Sequence, residues 1–414
     1  MTSTLFLLAA ALAAAAPQQS PTPAKRSAAK GPGCSLTDEE QLGKRLFNDP
    51  RLSANGNQSC ATCHGLSTGG TGPVSGVDAT GAVYEGSVPG TFGKRRPSSM
   101  AYAGESPKLA LVEKDGQKEW FGGMAWDGRA TGAKLGDPLA EQASGSFLDP
   151  AEQALPDAAA VVAHACGSDY AALVKKVLGP KACAKESAAK TFEGFGRAIA
   201  AWERSTEVSP FTSRYDGFLA GSVELTPSEQ KGLALFEGKA RCSACHPSRP
   251  REDGKPPLFT DFGYDNVGLP RNMLNPWYFQ REANAWGAGW VDFGLGGELK
   301  AAGRSPAEYE PWLGKFKVPS LRNADLRPGP LARGRHVKAY GHNGALKSLE
   351  EVVHFYNARD VERARWAPPE YPATVNRKQL GNLGLSADEE ADLVAFLRTL
   401  SDGVLKPACG PRGR

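Results

Sequence analysis

The chain has 414 residues, 41% of them hydrophobic, with 49 Lys and Arg against 45 Asp and Glu. That length allows two or three domains with buried cores. A net charge of +4, spread without a dense basic run, argues against a nucleic-acid partner, and no stretch calls for a membrane span in the mature chain.

The first segment, Thr4 to Pro17, is apolar and ends in small residues. It is too short to cross a bilayer and reads as a secretory signal peptide over residues 1–16, cut near Ala16, which predicts a periplasmic protein. A short membrane anchor is the alternative, because the segment carries no Lys or Arg. Residues 17–33, rich in Pro, Ser, Ala and Gly, read as a flexible linker.

Two signatures then dominate the chain: Cys60-Ala-Thr-Cys63-His64 and Cys242-Ser-Ala-Cys245-His246. C-x-x-C-H is the attachment motif for c-type haem. Its two thiols add across the haem vinyl groups, and the His supplies the proximal iron ligand. A redox dithiol or half a zinc site needs no His after the second Cys. Two covalently bound haem c groups are therefore predicted, with His64 on the first iron and His246 on the second. Outside the motifs stand Cys34, Cys166, Cys183 and Cys409, an even remainder that points to disulfides in an oxidising compartment. Cys166 with Cys183 would close a local loop and Cys34 with Cys409 would tie the termini. The sequence leaves that pairing open.

The chain is internally duplicated. Leu36-Thr37-x-x-Glu40-Gln41-x-Gly43-x-x-Leu46-Phe47 reappears 189 residues later as Leu225-Thr226-x-x-Glu229-Gln230-x-Gly232-x-x-Leu235-Phe236. Each copy opens with Thr-x-x-Glu, a capping box at the start of an amphipathic helix. A closing helix is predicted in each half, Phe192 to Glu203 and Ala387 to Leu400, the latter with Ser386 as N-cap. Long loops carrying many of the 48 Gly and 31 Pro separate these helices. The fold class is mainly α: two cytochrome-c-like haem domains with long Gly/Pro-rich loops, over residues 34–220 and 221–414.

Further motifs are Leu42-Gly-Lys-Arg-Leu-Phe-Asn-Asp-Pro-Arg-Leu-Ser53, Trp126-Asp-Gly-Arg-Ala130, Val318-Pro-Ser-Leu-Arg-Asn323, Gly341-His-Asn-Gly344 and Leu349-Glu-Glu-Val-Val353. With these the chain resembles the bacterial di-haem cytochrome c peroxidases over residues 36–403. Within them it is most similar to the MauG-like branch, which includes the di-haem enzyme of methanobactin clusters. The resemblance implies the following roles. A distal His present in some members falls here at Thr80, so the first iron is open to peroxide; His164 is read as structural. Gln142 and Glu152 match the distal acid/base pair, with Ser146 where a Pro is common. A carboxylate there moves a proton between the peroxide oxygens; the bland alternative leaves Glu152 on a solvated helix start. Tyr356 falls where ordinary peroxidases place a Met on the second iron, with His354 and Met273 as rival ligands and a packed aromatic as the plain alternative. Trp126 is the charge relay between the haems, or ordinary packing, and His342 supports the second haem. A calcium ion between the domains is put in question, because Arg95 or Arg96 replaces its usual Asn and Val337-Lys338-Ala339 replaces a Thr-x-Pro segment.

The resemblance implies an enzyme that uses hydrogen peroxide to reach a high-valent, bis-ferryl-like state and oxidises a residue of a partner protein. One alternative is a detoxifying peroxidase fed electrons by a small redox protein. The other is a non-enzymatic di-haem electron carrier.

Overall fold

In the computed structural model, residues 35–72, 83–114, 116–326 and 339–407 are described. The expected signal peptide and linker, Thr80, Val337, Lys338, Cys34 and Cys409 lie outside them. The first half runs through α1 (Asp38–Phe47), the one-turn α2 (Cys60–Cys63), a hairpin of β1 (Ala110–Lys114) and β2 (Gln117–Phe121), then α3 (Pro138–Leu148), α4 (Ala158–Cys166), α5 (Ala171–Leu178) and α6 (Ala188–Glu203). The second half holds α7 (Arg214–Leu219), α8 (Pro227–Glu237), β3 (Tyr264–Asp265), α9 (Gly294–Ala301), α10 (Pro306–Tyr309), β4 (Phe316–Lys317), α11 (Leu349–Ala358) and α12 (Ala387–Arg398). The architecture is mainly helical, as expected, and long irregular segments join the helices.

The helix starts follow from the capping boxes. Thr37 N–H donates to Glu40 Oε2 at 2.6 Å while Glu40 N–H donates to Thr37 Oγ1 at 3.2 Å, which satisfies two otherwise orphaned donors. Thr226 and Glu229 repeat this at α8, at 2.7 and 3.3 Å, and Ser386 and Glu389 at α12, at 2.8 and 3.2 Å. The first closing helix begins at Ala188, earlier than the apolar period starting at Phe192 indicates, because the small residues Ala188 and Ala189 extend it without adding to that period. The second ends at Arg398, where Thr399 and Leu400 N–H turn back to Phe396 and Leu397 carbonyls.

Each half is built on one tight helix crossing. A Cβ at Gly43 would lie 1.9 Å from the Ala198 carbonyl oxygen, and one at Gly232 would lie 2.0 Å from the Asp392 carbonyl oxygen. The two glycines hold the same place in the duplicated motif. Only hydrogen at these positions lets α1 reach the backbone of α6, and α8 that of α12. Around the first crossing pack Leu42, Leu46, Phe47, Phe195, Ile199 and Trp202. Around the second lies an aromatic cluster in which Phe236 and Phe396 ring centres are 5.1 Å apart. Tyr215 of α7 belongs to this second cluster, although it precedes the expected boundary at 220.

Three ties complete the frame. Cys166 and Cys183 form a disulfide, the local pairing of the two considered. Arg322, fully buried, makes a two-pronged ion pair with Asp216 at 2.8 and 3.0 Å. Asp402, just past α12, accepts from Tyr102 Oη at 2.7 Å, Thr212 N at 2.9 Å and Asn323 Nδ2 at 2.8 Å.

Replacing Gly43 or Gly232 by Ala should lower stability by about 1–3 kcal/mol, the usual cost of overpacking a fixed contact. Gly145→Ala, on the open face of α3 with nothing within 4 Å of the new Cβ, should instead stabilise by about 0.5–1 kcal/mol. Thermal melts of the three variants check this; equal shifts would refute the crossing as the tight point.

Candidate haem cavities

The first attachment motif forms α2, and His64 N–H closes its turn on the Cys60 carbonyl at 2.9 Å. His64 Nδ1 bonds the Gly70 carbonyl at 3.2 Å, which places its proton there and leaves Nε2 as the lone-pair donor. Cys60, Cys63 and His64 line a cavity of about 450 Å³. The second motif repeats the arrangement: His246 Nδ1 bonds the Phe259 carbonyl at 2.7 Å, and Cys242, Cys245 and His246 line a cavity of about 200 Å³. Burial keeps both imidazoles neutral, pushing His64 below its ordinary value and His246 down to about 4. Phe47 and Phe236, matched in the duplication, each line their own cavity. Paired thiols outside any disulfide, an oriented neutral imidazole and a cavity beside them are the donor set a haem c requires. Among the described residues no group of three or more His, Cys, Asp or Glu converges as a zinc site would demand.

Gln142, Ser146 and Glu152 line the first cavity. Gln142 Nε2 donates to Ser146 Oγ at 3.3 Å. Glu152 lies in the turn after α3, its N–H on the Asp149 carbonyl at 3.0 Å, and not at a helix start. Burial raises its carboxyl above the ordinary range, as does the nearby charge of Asp149, against a hydrogen bond from Ser146 and the charge of Arg129. Ser146 thus lies between Gln142 and Glu152, where a proline could make neither bond. His164 points outward from α4 and is exposed. Met100 lines the cavity too, but its N–H shares the Gly70 carbonyl with the His64 ring, at 3.0 Å, so it sits beside the proximal imidazole.

The second cavity is lined by Tyr356 of α11 and by His342, with leucine and valine side chains around them and, among the described residues, no methionine. Burial pushes the Tyr356 phenol up. Neither rival ligand reaches this cavity. His354 is held by Glu390 at 2.9 Å and Glu362 at 3.2 Å, and Met273 is on the surface, 46% exposed.

Between the cavities stands Trp126, buried, with Nε1 donating to the Arg96 carbonyl at 2.8 Å. It lines both cavities. Its ring meets His342 edge-on at 6.5 Å, and His342 stacks flat on Phe316 at 3.5 Å. Lys317, whose N–H holds the Trp126 carbonyl at 2.8 Å, also lines the second cavity; burial lowers its ammonium to about 7.

A family profile for di-haem cytochrome c peroxidase matches residues 37–224. The methylamine utilization protein MauG of Paracoccus denitrificans is 34% identical over 382 residues, covering 88% of this chain and 89% of that protein. The chain belongs to the di-haem cytochrome c peroxidase family. A cytochrome-c peroxidase of Denitromonas iodatirespirans is 28% identical over 377 residues, 88% of this chain and 81% of that protein. The crystal structure of the diheme peroxidase BthA from Burkholderia thailandensis superposes with a TM-score of 0.73 at 31% identity, covering 89% of this chain and 86% of that one.

The protein is thus a di-haem peroxidase, an enzyme carrying haem c. Sequence reasoning missed three residues that its structure brings to the cavities. Glu203 on α6 lines the first, buried, with Oε2 unpartnered and its carboxyl pushed up to about 8 by burial. Its one signal is helical spacing, one turn beyond Ile199. Lys317 and Phe316 adjoin the Val-Pro-Ser motif but carry no signal of their own. In this peroxidase, Cys242→Ala with Cys245→Ala should cut covalent haem from two groups per chain to one, read by pyridine haemochrome and intact mass. Retention of both haems would sink the assignment of that motif.

Proposed function

We propose that this di-haem peroxidase is a periplasmic oxidase of the MauG type, which reduces hydrogen peroxide at the first cavity and oxidises an aromatic side chain on a partner protein. The observation that carries the reading is the lining of the second cavity: among the described residues Tyr356 is there and no methionine is. The haems, held through Cys60, Cys63 and His64 and through Cys242, Cys245 and His246, supply the redox chemistry of peroxide reduction.

The chain's residues handle protons, position and charge. Glu152, whose carboxyl burial raises and so makes a stronger base, takes the proton of bound peroxide at its carboxylate and returns it to the departing oxygen. Gln142, braced on Ser146, orients the peroxide. Tyr356 would hold the second iron through a phenolate, a hard anionic donor that favours oxidised over reduced iron far more than a thioether does. Trp126, as a wall common to both cavities, is the aromatic relay. No helix among the described residues is long and apolar enough to cross a membrane, and the apolar N-terminal segment supports export.

Glu152→Gln should slow the reaction of the diferric enzyme with peroxide by roughly 100- to 10,000-fold in stopped-flow spectra, the usual worth of acid/base assistance. An unchanged rate would assign proton transfer elsewhere. Tyr356→Phe should abolish the low-spin signal of the second haem in low-temperature EPR while the first stays peroxide-reactive. A persisting signal, together with turnover of a small reduced redox protein, would return the enzyme to ordinary peroxide detoxification.

A further inference from the structure

The family resemblance implies a calcium ion between the two halves, and the residues at that junction do not fit one. Calcium takes six to eight oxygen ligands. Here Arg95 brings only N–H donors. Its Nε and Nη2 bond the two carboxylate oxygens of Asp292 at 2.6 and 2.7 Å, and its Nη1 pairs with Asp127. Asp292 and Asp127 are buried, at 3% and 2% side-chain exposure, and Arg95 is 10% exposed. Arg129 reaches Asp127 from the outer side at 3.3 Å, so two guanidinium charges already balance two carboxylates. A dication added to that balance would leave uncompensated positive charge out of water, which is costly.

Two carbonyls just after the second expected segment are also taken. Arg96 Nε donates to the Gly341 carbonyl at 3.2 Å, and its N–H donates to the His342 carbonyl at 2.8 Å. The remaining carboxyls nearby, Glu298 and Glu370, are both raised by burial, Glu370 to about 7.

We propose that the Arg95 guanidinium is a built-in junction cation: the enzyme neither binds nor needs calcium. Arg95 acts as a positioning residue. It anchors Asp127, next to Trp126 in the chain, to Asp292 in the other half, and it lies over Phe316 at 5.7 Å, the ring on which His342 stacks. A planar fork fixes two carboxylates and an aromatic face in one geometry, which a lysine or a hydrated ion does less rigidly. The proposal stands whichever molecule the enzyme oxidises.

The test uses the haem-loaded enzyme purified in calcium-containing buffer and then desalted. Metal analysis should find calcium far below one per chain. Dialysis against EGTA should leave the diferric EPR spectrum and the peroxide reaction unchanged. Arg95→Asn exposes two buried carboxylates to each other, so this variant should take up one calcium per chain by titration calorimetry. Stripped of calcium, it should show an altered low-spin signal that calcium restores. Arg95→Lys keeps the charge and should remain calcium-free. Stoichiometric calcium in the wild type, lost to EGTA together with its EPR signature, overturns the proposal. So does a folded Arg95→Asn that binds no calcium and keeps the wild-type spectrum. Should Arg95→Asn fail to load haem, the wild-type metal analysis and Arg95→Lys decide the matter.

Discussion

The contact on which the rest of the structure depends is a backbone-to-backbone approach made twice, Gly43 against Ala198 and Gly232 against Asp392. Dispersion at such short range is available only where no side chain intervenes. Once α1 lies on α6 and α8 on α12, the segment leaving each N-terminal helix has little freedom. The attachment motif must follow within that segment, and its imidazole must turn back to a carbonyl, Gly70 or Phe259. The apolar faces that surround each crossing, ending in Phe47 and Phe236, then become walls of the two cavities.

What was legible in the sequence is what is local. Three capping boxes, two attachment motifs and the 3.6-residue period each occupy a few consecutive positions, and all appear in the structure at those positions. The glycines of the duplication were legible as a repeat but not as contacts, because their partners are carbonyls some 150 residues away in the chain, at Ala198 and Asp392. Gln142, Glu152 and Tyr356 carry no self-evident pattern; the family resemblance alone singled them out. The Arg95 cluster was hidden most fully. Asp127 and Asp292 lie 32 and 197 positions from Arg95, and isolated aspartates are ordinarily surface residues.

Electrostatics separates two sets of buried groups. Within the cavities, burial drives groups toward neutrality: both proximal imidazoles, the Glu152 and Glu203 carboxyls and the Tyr356 phenol all shift in the direction that removes charge. In the Arg95 cluster, which also borders the first cavity, charge is kept instead. Arg95 and Asp292 keep their charges because each has an opposite partner at hydrogen-bond distance. The first cavity thus carries both kinds of wall, and Trp126 precedes the charged Asp127 in the chain.

The Asp402 latch bears on the order in which the molecule can be completed. Asp402 lies almost at the end of the described chain, yet its carboxylate holds Tyr102 of the first half, Thr212 at the crossover and Asn323 of the second. For a chain delivered N-terminus first, the early helices can assemble long before this residue arrives. Until then Tyr102, Thr212 and Asn323 lack their common acceptor, and both thiol pairs have already emerged. The position of a single aspartate thus makes the joining of these three segments wait for α12, which precedes it in the chain.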